Sequence, residues 1–125
     1  MLALSVREAL RAAFECTDPA ALPGLLNPLL TDAGAVPLLV ADGGHLRLEV
    51  APDLRGFAAL AARLPAALAG HAARHGGTRL GTCASDPCSC AFVDRTRGGS
   101  RRYCCTYCND RAAARAYRKR RKMSG

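Results

Sequence analysis

The sequence predicts an α+β protein, mostly helical. A helical N-terminal domain with a small β-hairpin spans residues 1–79, and a small cysteine-rich module ending in a basic helix spans 80–125. Three observations carry this reading. Leucine and alanine recur at helical spacing through most of the first part. Six of the seven cysteines fall between Cys83 and Cys108. The excess positive charge lies wholly in the second part: residues 1–79 hold seven Lys+Arg and seven Asp+Glu, whereas residues 80–125 hold eleven and three. A neutral folded part joined to a polyanion-binding part is the expected meaning of such asymmetry.

The elements follow in order. Ser5-Val-Arg-Glu8 has the spacing of a capping box, and Val6, Leu10, Ala13 and Phe14 then share one face of a helix ending near Glu15. Asp18-Pro19 restarts a helix, Asp as cap and Pro in the first turn. Leu22, Leu25, Leu26, Leu29 and Leu30 form its apolar side, Pro28 is expected to kink or shorten it, and Gly34 ends it. Val36 to Val40 and the alternating Leu46, Leu48 and Val50 flank Ala41-Asp-Gly-Gly-His45, which reads as a two-stranded hairpin. Asp53 is expected to cap a longer helix carrying Leu54, Phe57, Leu60, Leu64 and Leu68, with Gly76-Gly77 as its stop. Pro65 interrupts that pattern. The lone Cys16 reads as a small buried apolar residue, and the His71/His75 pair as a solvated helix face.

Half of the residues are apolar, enough for a core. No run of about 18 apolar residues marks a membrane span. The first fifteen residues lack a basic leader and are interrupted by Arg7, Glu8 and Arg11, so they do not read as a secretory signal. The expected location is cytoplasmic, associated with the nucleoid, where disulfides are uncommon.

After Leu80 large apolar residues become scarce: Leu80, Phe92, Val93, Tyr103, Tyr107 and Tyr117 are nearly all. So small a module needs a staple. Structural zinc takes four thiolate or imidazole ligands, usually as two close pairs. Cys83-x4-Cys88 and Cys104-x3-Cys108 supply such pairs, and Zn2+ is the expected cofactor of a four-cysteine zinc-finger module. On spacing alone Cys90 competes with Cys88, and Cys105-x-x-Cys108 is itself a good ligand pair. No His or Glu follows His75, so the site lacks the open position and general base of a hydrolytic zinc. An enzyme is not expected.

Asn109 or Asp110 is expected to cap a last helix running to about Lys122. On it Arg111, Arg115, Lys119 and Lys122 form a stripe, with Arg118 and Arg121 beside it. Tyr117 is placed to pack back onto the module. The stretch Asp94–Arg102 adds Arg95, Arg97, Ser100, Arg101 and Arg102, with Gly98-Gly99 allowing a close turn. Arginine and hydroxyl groups of this kind position a protein on a phosphate backbone. The candidate nucleic-acid contacts are therefore Arg95, Arg97, Ser100, Arg101, Arg102, Arg111, Arg115, Arg118 and Lys119. Double-stranded DNA is the expected partner. Structured RNA, or an acidic protein partner, is the alternative.

These residues resemble the CGNR zinc-finger family of bacterial proteins. The resemblance rests on Cys83-x4-Cys88, Phe92-Val-Asp94-Arg-Thr-Arg97, Arg101-Arg-Tyr-Cys104 and Cys108-Asn-Asp-Arg111, and covers residues 80–122. The family's four ligands map to Cys83, Cys88, Cys104 and Cys108. Residues 1–79 resemble the second half of its companion N-terminal domain, ABATE, most clearly at Val40-Ala-Asp-Gly-Gly-His-Leu-Arg-Leu48. The resemblance implies a stress-linked transcriptional regulator that binds DNA through the zinc module. It departs at the signature: Cys-Gly-Asn-Arg stands here as Cys-Asn-Asp-Arg, placing the anion Asp110 where the family has an amide. The second pair is x3 rather than the commoner x4. The family's opening stretch precedes the equivalent of Met1, so the N-terminal core is expected to be incomplete or completed by a partner chain. That part is expected to sense a signal or to form a homodimer.

Overall fold

A computed structural model describes residues 2–124, with side chains from Ser5 onward. Three helices and two small antiparallel hairpins precede a long terminal helix. The order is α1 (Leu2–Glu15), α2 (Leu22–Asp32), β1 (Pro37–Asp42), β2 (His45–Val50), α3 (Gly56–His75), β3 (Leu80–Thr82), β4 (Ala91–Val93) and α4 (Thr106–Ser124), with single 3-10 turns at Pro19–Ala21 and Gly77–Arg79.

The expected helices form, with different starts. α1 begins at Leu2, so Ser5 lies inside it rather than at its cap. Asp18 does cap: its carboxylate accepts the Ala20 N–H at 3.0 Å and opens the 3-10 turn leading into α2. Pro28 sits within α2, which continues through it to Asp32. The cap of α3 is Arg55 and not Asp53; Arg55 is extended, and its guanidinium is held by the carbonyls of Pro52 at 2.5 Å and Leu54 at 2.9 Å. Pro65 lies inside α3 and is among the most deeply buried residues.

β1 and β2 pair antiparallel from Pro37↔Val50 to Asp42↔His45. Gly43 and Gly44 make the two-residue turn, both at positive φ (54° and 85°), which any Cβ would strain. Arg47 closes the sheet's polar side against Asp42 and Glu49 at 3.3 and 2.8 Å.

Ala13, Leu22, Leu26 and Leu80 form the buried core, ringed by Leu10, Phe14, Leu29, Leu68, Ala72 and Val93. Leu80 and Val93 come from β3 and β4, so the second hairpin packs into the same core as the helices. The hairpin is tight. A Cβ on Gly81 would lie 2.8 Å from the Phe92 ring, its cross-strand partner. Cys16 is half-buried against this core, its thiol donating to the Asp18 carbonyl at 3.0 Å.

Candidate metal centre and the basic surface around it

β3 delivers Cys83, and the chain then loops out to Cys88 and returns as β4. The loop is held by backbone bonds from Cys83 N–H to the Cys90 carbonyl (2.9 Å), Cys88 N–H to the Ser85 carbonyl (2.8 Å) and Ala84 N–H to the Arg102 carbonyl (2.9 Å). The second pair straddles the start of α4: Cys104 precedes it and Cys108 lies in its first turn. The expected cap at Asn109 or Asp110 is thus corrected. The helix begins at Thr106, and the Asn109 N–H already bonds the Cys105 carbonyl at 3.1 Å.

The sulfurs of Cys83, Cys88, Cys104 and Cys108 all lie within 4.8 Å of one another. The Cys88–Cys104 and Cys104–Cys108 separations are both 3.7 Å. A tetrahedron with metal–sulfur bonds of about 2.3 Å has sulfur–sulfur edges of about 3.8 Å, so the four thiols fit a zinc-sized ion. Cys83 and Cys108 are buried, Cys88 and Cys104 half-buried, whereas Cys90 and Cys105 are exposed.

The protonation chemistry points the same way. The Cys90 N–H and thiol, with smaller help from Cys104 and Cys108, draw the Cys88 thiol down to about 6. Burial, together with the neighbouring sulfurs, pushes Cys104 well above the usual thiol value. Burial pushes Cys108 up to about 12. The Cys88 thiolate thus forms readily while Cys104 and Cys108 resist ionisation, and a bound cation would offset that resistance. Cys105 has another role: the Cys108 N–H holds its thiol below the usual value, as at a helix cap.

Arginines tie the two pairs together. Arg111, on α4, donates through Nη2 to the Ser85 carbonyl (2.8 Å) and hydroxyl (3.2 Å) and through Nε to that hydroxyl (3.3 Å). Ser85 is only 2 % exposed. Arg115, one turn on, donates to the Asp86 carbonyl. Arg101 donates to the carbonyls of Tyr103 (2.9 Å), Val93 (3.4 Å) and Cys104, and lies over the Phe92 ring at 5.0 Å.

The segment from Asp94 to Arg101 is a preformed loop. Asp94, 3 % exposed, accepts from the Thr96 N–H (2.8 Å) and hydroxyl (2.6 Å) on Oδ1 and from the Arg101 N–H (3.1 Å) on Oδ2. The Thr96 hydroxyl in turn accepts the Ser100 N–H at 3.0 Å. Arg79 supports the loop from beneath, donating to the carbonyls of Thr96 and Arg97 and lying 3.8 Å from Asp94. Burial pushes the Asp94 carboxyl up, but Thr96, Arg101 and Arg79 outweigh it and hold it below the usual carboxylate range.

The nine candidate nucleic-acid contacts therefore occupy two settings. Arg101, Arg111 and, through one nitrogen, Arg115 are engaged within the module. Arg95, Arg97, Ser100, Arg102, Arg118 and Lys119 are exposed. Arg102 lies over the Tyr103 ring at 5.7 Å; the side chains of Arg95, Arg97, Arg118 and Lys119 meet no hydrogen-bond or ion-pair partner among the described residues. Cys108 is the one buried residue of α4 among those described, and residues 113–124 are exposed. Tyr117 accordingly stays 54 % exposed instead of packing back, with Arg121 over its ring at 6.0 Å. Arg79, Ser85 and Asp94 are the residues that sequence reasoning missed. The Asp94-x-Thr96 spacing is the signal that marks the turn.

Fold and cluster define a small four-cysteine metal-site module built onto a helical core. Residues 79–121 match the CGNR zinc finger family. No curated protein matches the chain. No described helix is long and apolar enough to cross a membrane.

Proposed function

We propose that residues 80–125 fold around one zinc ion held by Cys83, Cys88, Cys104 and Cys108, and that the module binds duplex DNA in transcriptional control. The observation that carries this reading is the state of α4. Arg111, and Arg115 through one nitrogen, fasten its first turns, while the rest projects into solvent bearing Arg118, Lys119, Arg120, Arg121 and Lys122. Like charges at i,i+4, such as Arg115 with Lys119 and Arg118 with Lys122, destabilise a free helix. A polyanion lying along that surface reverses the sign. The loop presents Arg95, Arg97, Ser100 and Arg102 from the same module, so phosphate contacts come from two rigidly connected elements. When bound, the ion would offset two of the four thiolate charges and tie α4 to the first loop. The helical part, whose sequence resembles ABATE, would sense a signal or pair with a second copy.

Binding measured by gel shift over a salt series tests this. About six phosphate contacts give a slope of log affinity against log salt near −5, and Arg118→Ala and Lys119→Ala should each reduce it by about 1. Arg111→Ala should instead lower the melting temperature. A flat salt dependence, or a duplex outcompeted by structured RNA, overturns the DNA reading.

A further inference from the structure

Beside the metal module, the C-terminal turn of α3 and the Asp94–Arg97 loop flank a half-open polar cleft of about 510 Å³. His71, Arg74 and His75 line it from the helix, and Arg79, Arg95 and Arg97 from the other side. The loop's carboxylate, Asp94, is already saturated by Thr96, Arg101 and Arg79. Arg74, Arg95 and Arg97 meet no counter-charge among the described residues. Nε2 of His71 is buried and finds no hydrogen-bond partner among them. Its ring lies 4.7 Å from that of His75.

Two imidazoles one turn apart suit a metal ion, but three uncompensated guanidiniums at the same cavity repel a cation. The same groups suit an anion with several acceptor oxygens. The forked donors of Arg74, Arg95 and Arg97 take its oxygens, and His71 and His75 stand on the cavity wall beside them. We propose that this cavity binds a phosphate group. Either a backbone phosphate of a duplex or a free phosphorylated small molecule supplies that chemistry. Arg74 and both histidines lie on α3, and the other wall belongs to the zinc module, so the bound anion bridges the two parts of the chain. The proposal stands independently of the duplex reading.

The test uses the zinc-loaded full chain and follows histidine ring signals by NMR. His45, on β2 outside the cavity, is the internal reference. Inorganic phosphate, titrated against chloride at matched ionic strength, should shift His71 and His75 saturably and leave His45 still. Arg74→Ala should weaken that binding about tenfold, the effect of losing one charged hydrogen bond. If a short duplex moves both signals, and Arg74→Ala abolishes the shift, the phosphate comes from nucleic acid. If neither probe moves them beyond the chloride control, the proposal is overturned. Arg118→Ala separates the two readings, since it weakens duplex binding and leaves the phosphate titration intact.

Discussion

Replacing Asp94 with alanine should be among the most destabilising single changes in the second half of the chain. The carboxylate is almost wholly buried and accepts three hydrogen bonds, with Arg79 close by. A hydrogen bond to a charged group contributes about 1.5–3 kcal/mol. The Thr96 and Arg101 donors are partly accessible and regain some water bonding when the acceptor goes, whereas the Arg79 guanidinium keeps an uncompensated charge. A net loss of about 3–5 kcal/mol follows, or roughly 10–20 °C in melting temperature for a chain of this size. Asp94→Asn keeps the Thr96 bonds but turns an amide donor toward the Arg101 N–H, and should fall between. The dependence on pH has a definite sign. The native carboxyl titrates below its unfolded value of about 3.9, so its stabilisation is present above that value and is lost as pH falls through the lower native one. Wild type and Asp94→Ala should therefore differ fully at neutral pH and converge only in strong acid. Calorimetry of zinc-loaded protein, with amide exchange of residues 96–101, measures both effects. A variant melting within about 2 °C of wild type, with that loop still protected, would refute the assignment of Asp94 as the loop's keystone.

Further outcomes follow from the site and the core. Chelating the metal should abolish the helicity of α4, and added zinc should restore it; circular dichroism unchanged by metal removal counts against the cluster. In the same assay Cys88→Ser should release zinc more readily, while Cys90→Ser and Cys105→Ser keep one ion per chain, read by mass spectrometry of the intact complex. Gly81→Ala should cost about 1–3 kcal/mol, because its methyl would sit 2.8 Å from the Phe92 ring and force that side chain out of the hairpin. A thermal melt identical to wild type would show that the ring moves freely.

Much of the helical part was legible because its signals are local. Gly43-Gly44 demands positive φ whatever surrounds it, and Leu22 and Leu26 share a helical face in any context. The errors at Ser5, Asp53 and Asn109 share one cause. Capping residues advertise a helix start, but tertiary ties decide where the start falls. Arg55 is fixed by the carbonyls of Pro52 and Leu54, and α4 must begin early enough to bring the sulfur of Cys108 to 3.7 Å from that of Cys104. The four candidate ligands could be chosen by spacing, yet what sets Cys90 and Cys105 apart is exposure, which spacing does not contain. His71 was illegible for the same reason. Helical periodicity places it beside His75, but the burial of its Nε2 and the loop across the cavity belong to the tertiary fold.

The arginines carry the most instructive division. In the sequence they form one basic run, alike in charge. In the fold, three arginines of that run meet backbone carbonyls of the module and become part of its frame: Arg111 at Ser85, Arg115 at Asp86, Arg101 at Tyr103 and Cys104. The Arg101 and Arg115 ties are solvent-accessible and those of Arg111 partly buried; together they do not by themselves orient a projecting basic helix. The thiolate cluster supplies the remainder, because it joins the first turn of α4 to the loop that offers those carbonyls. Removing the ion should then loosen the frame arginines too, and add three more mobile cations to the surface. Apo protein would keep its attraction for polyanions while losing geometric selectivity. A shallower contrast between specific and random duplexes, rather than loss of all binding, is the expected signature.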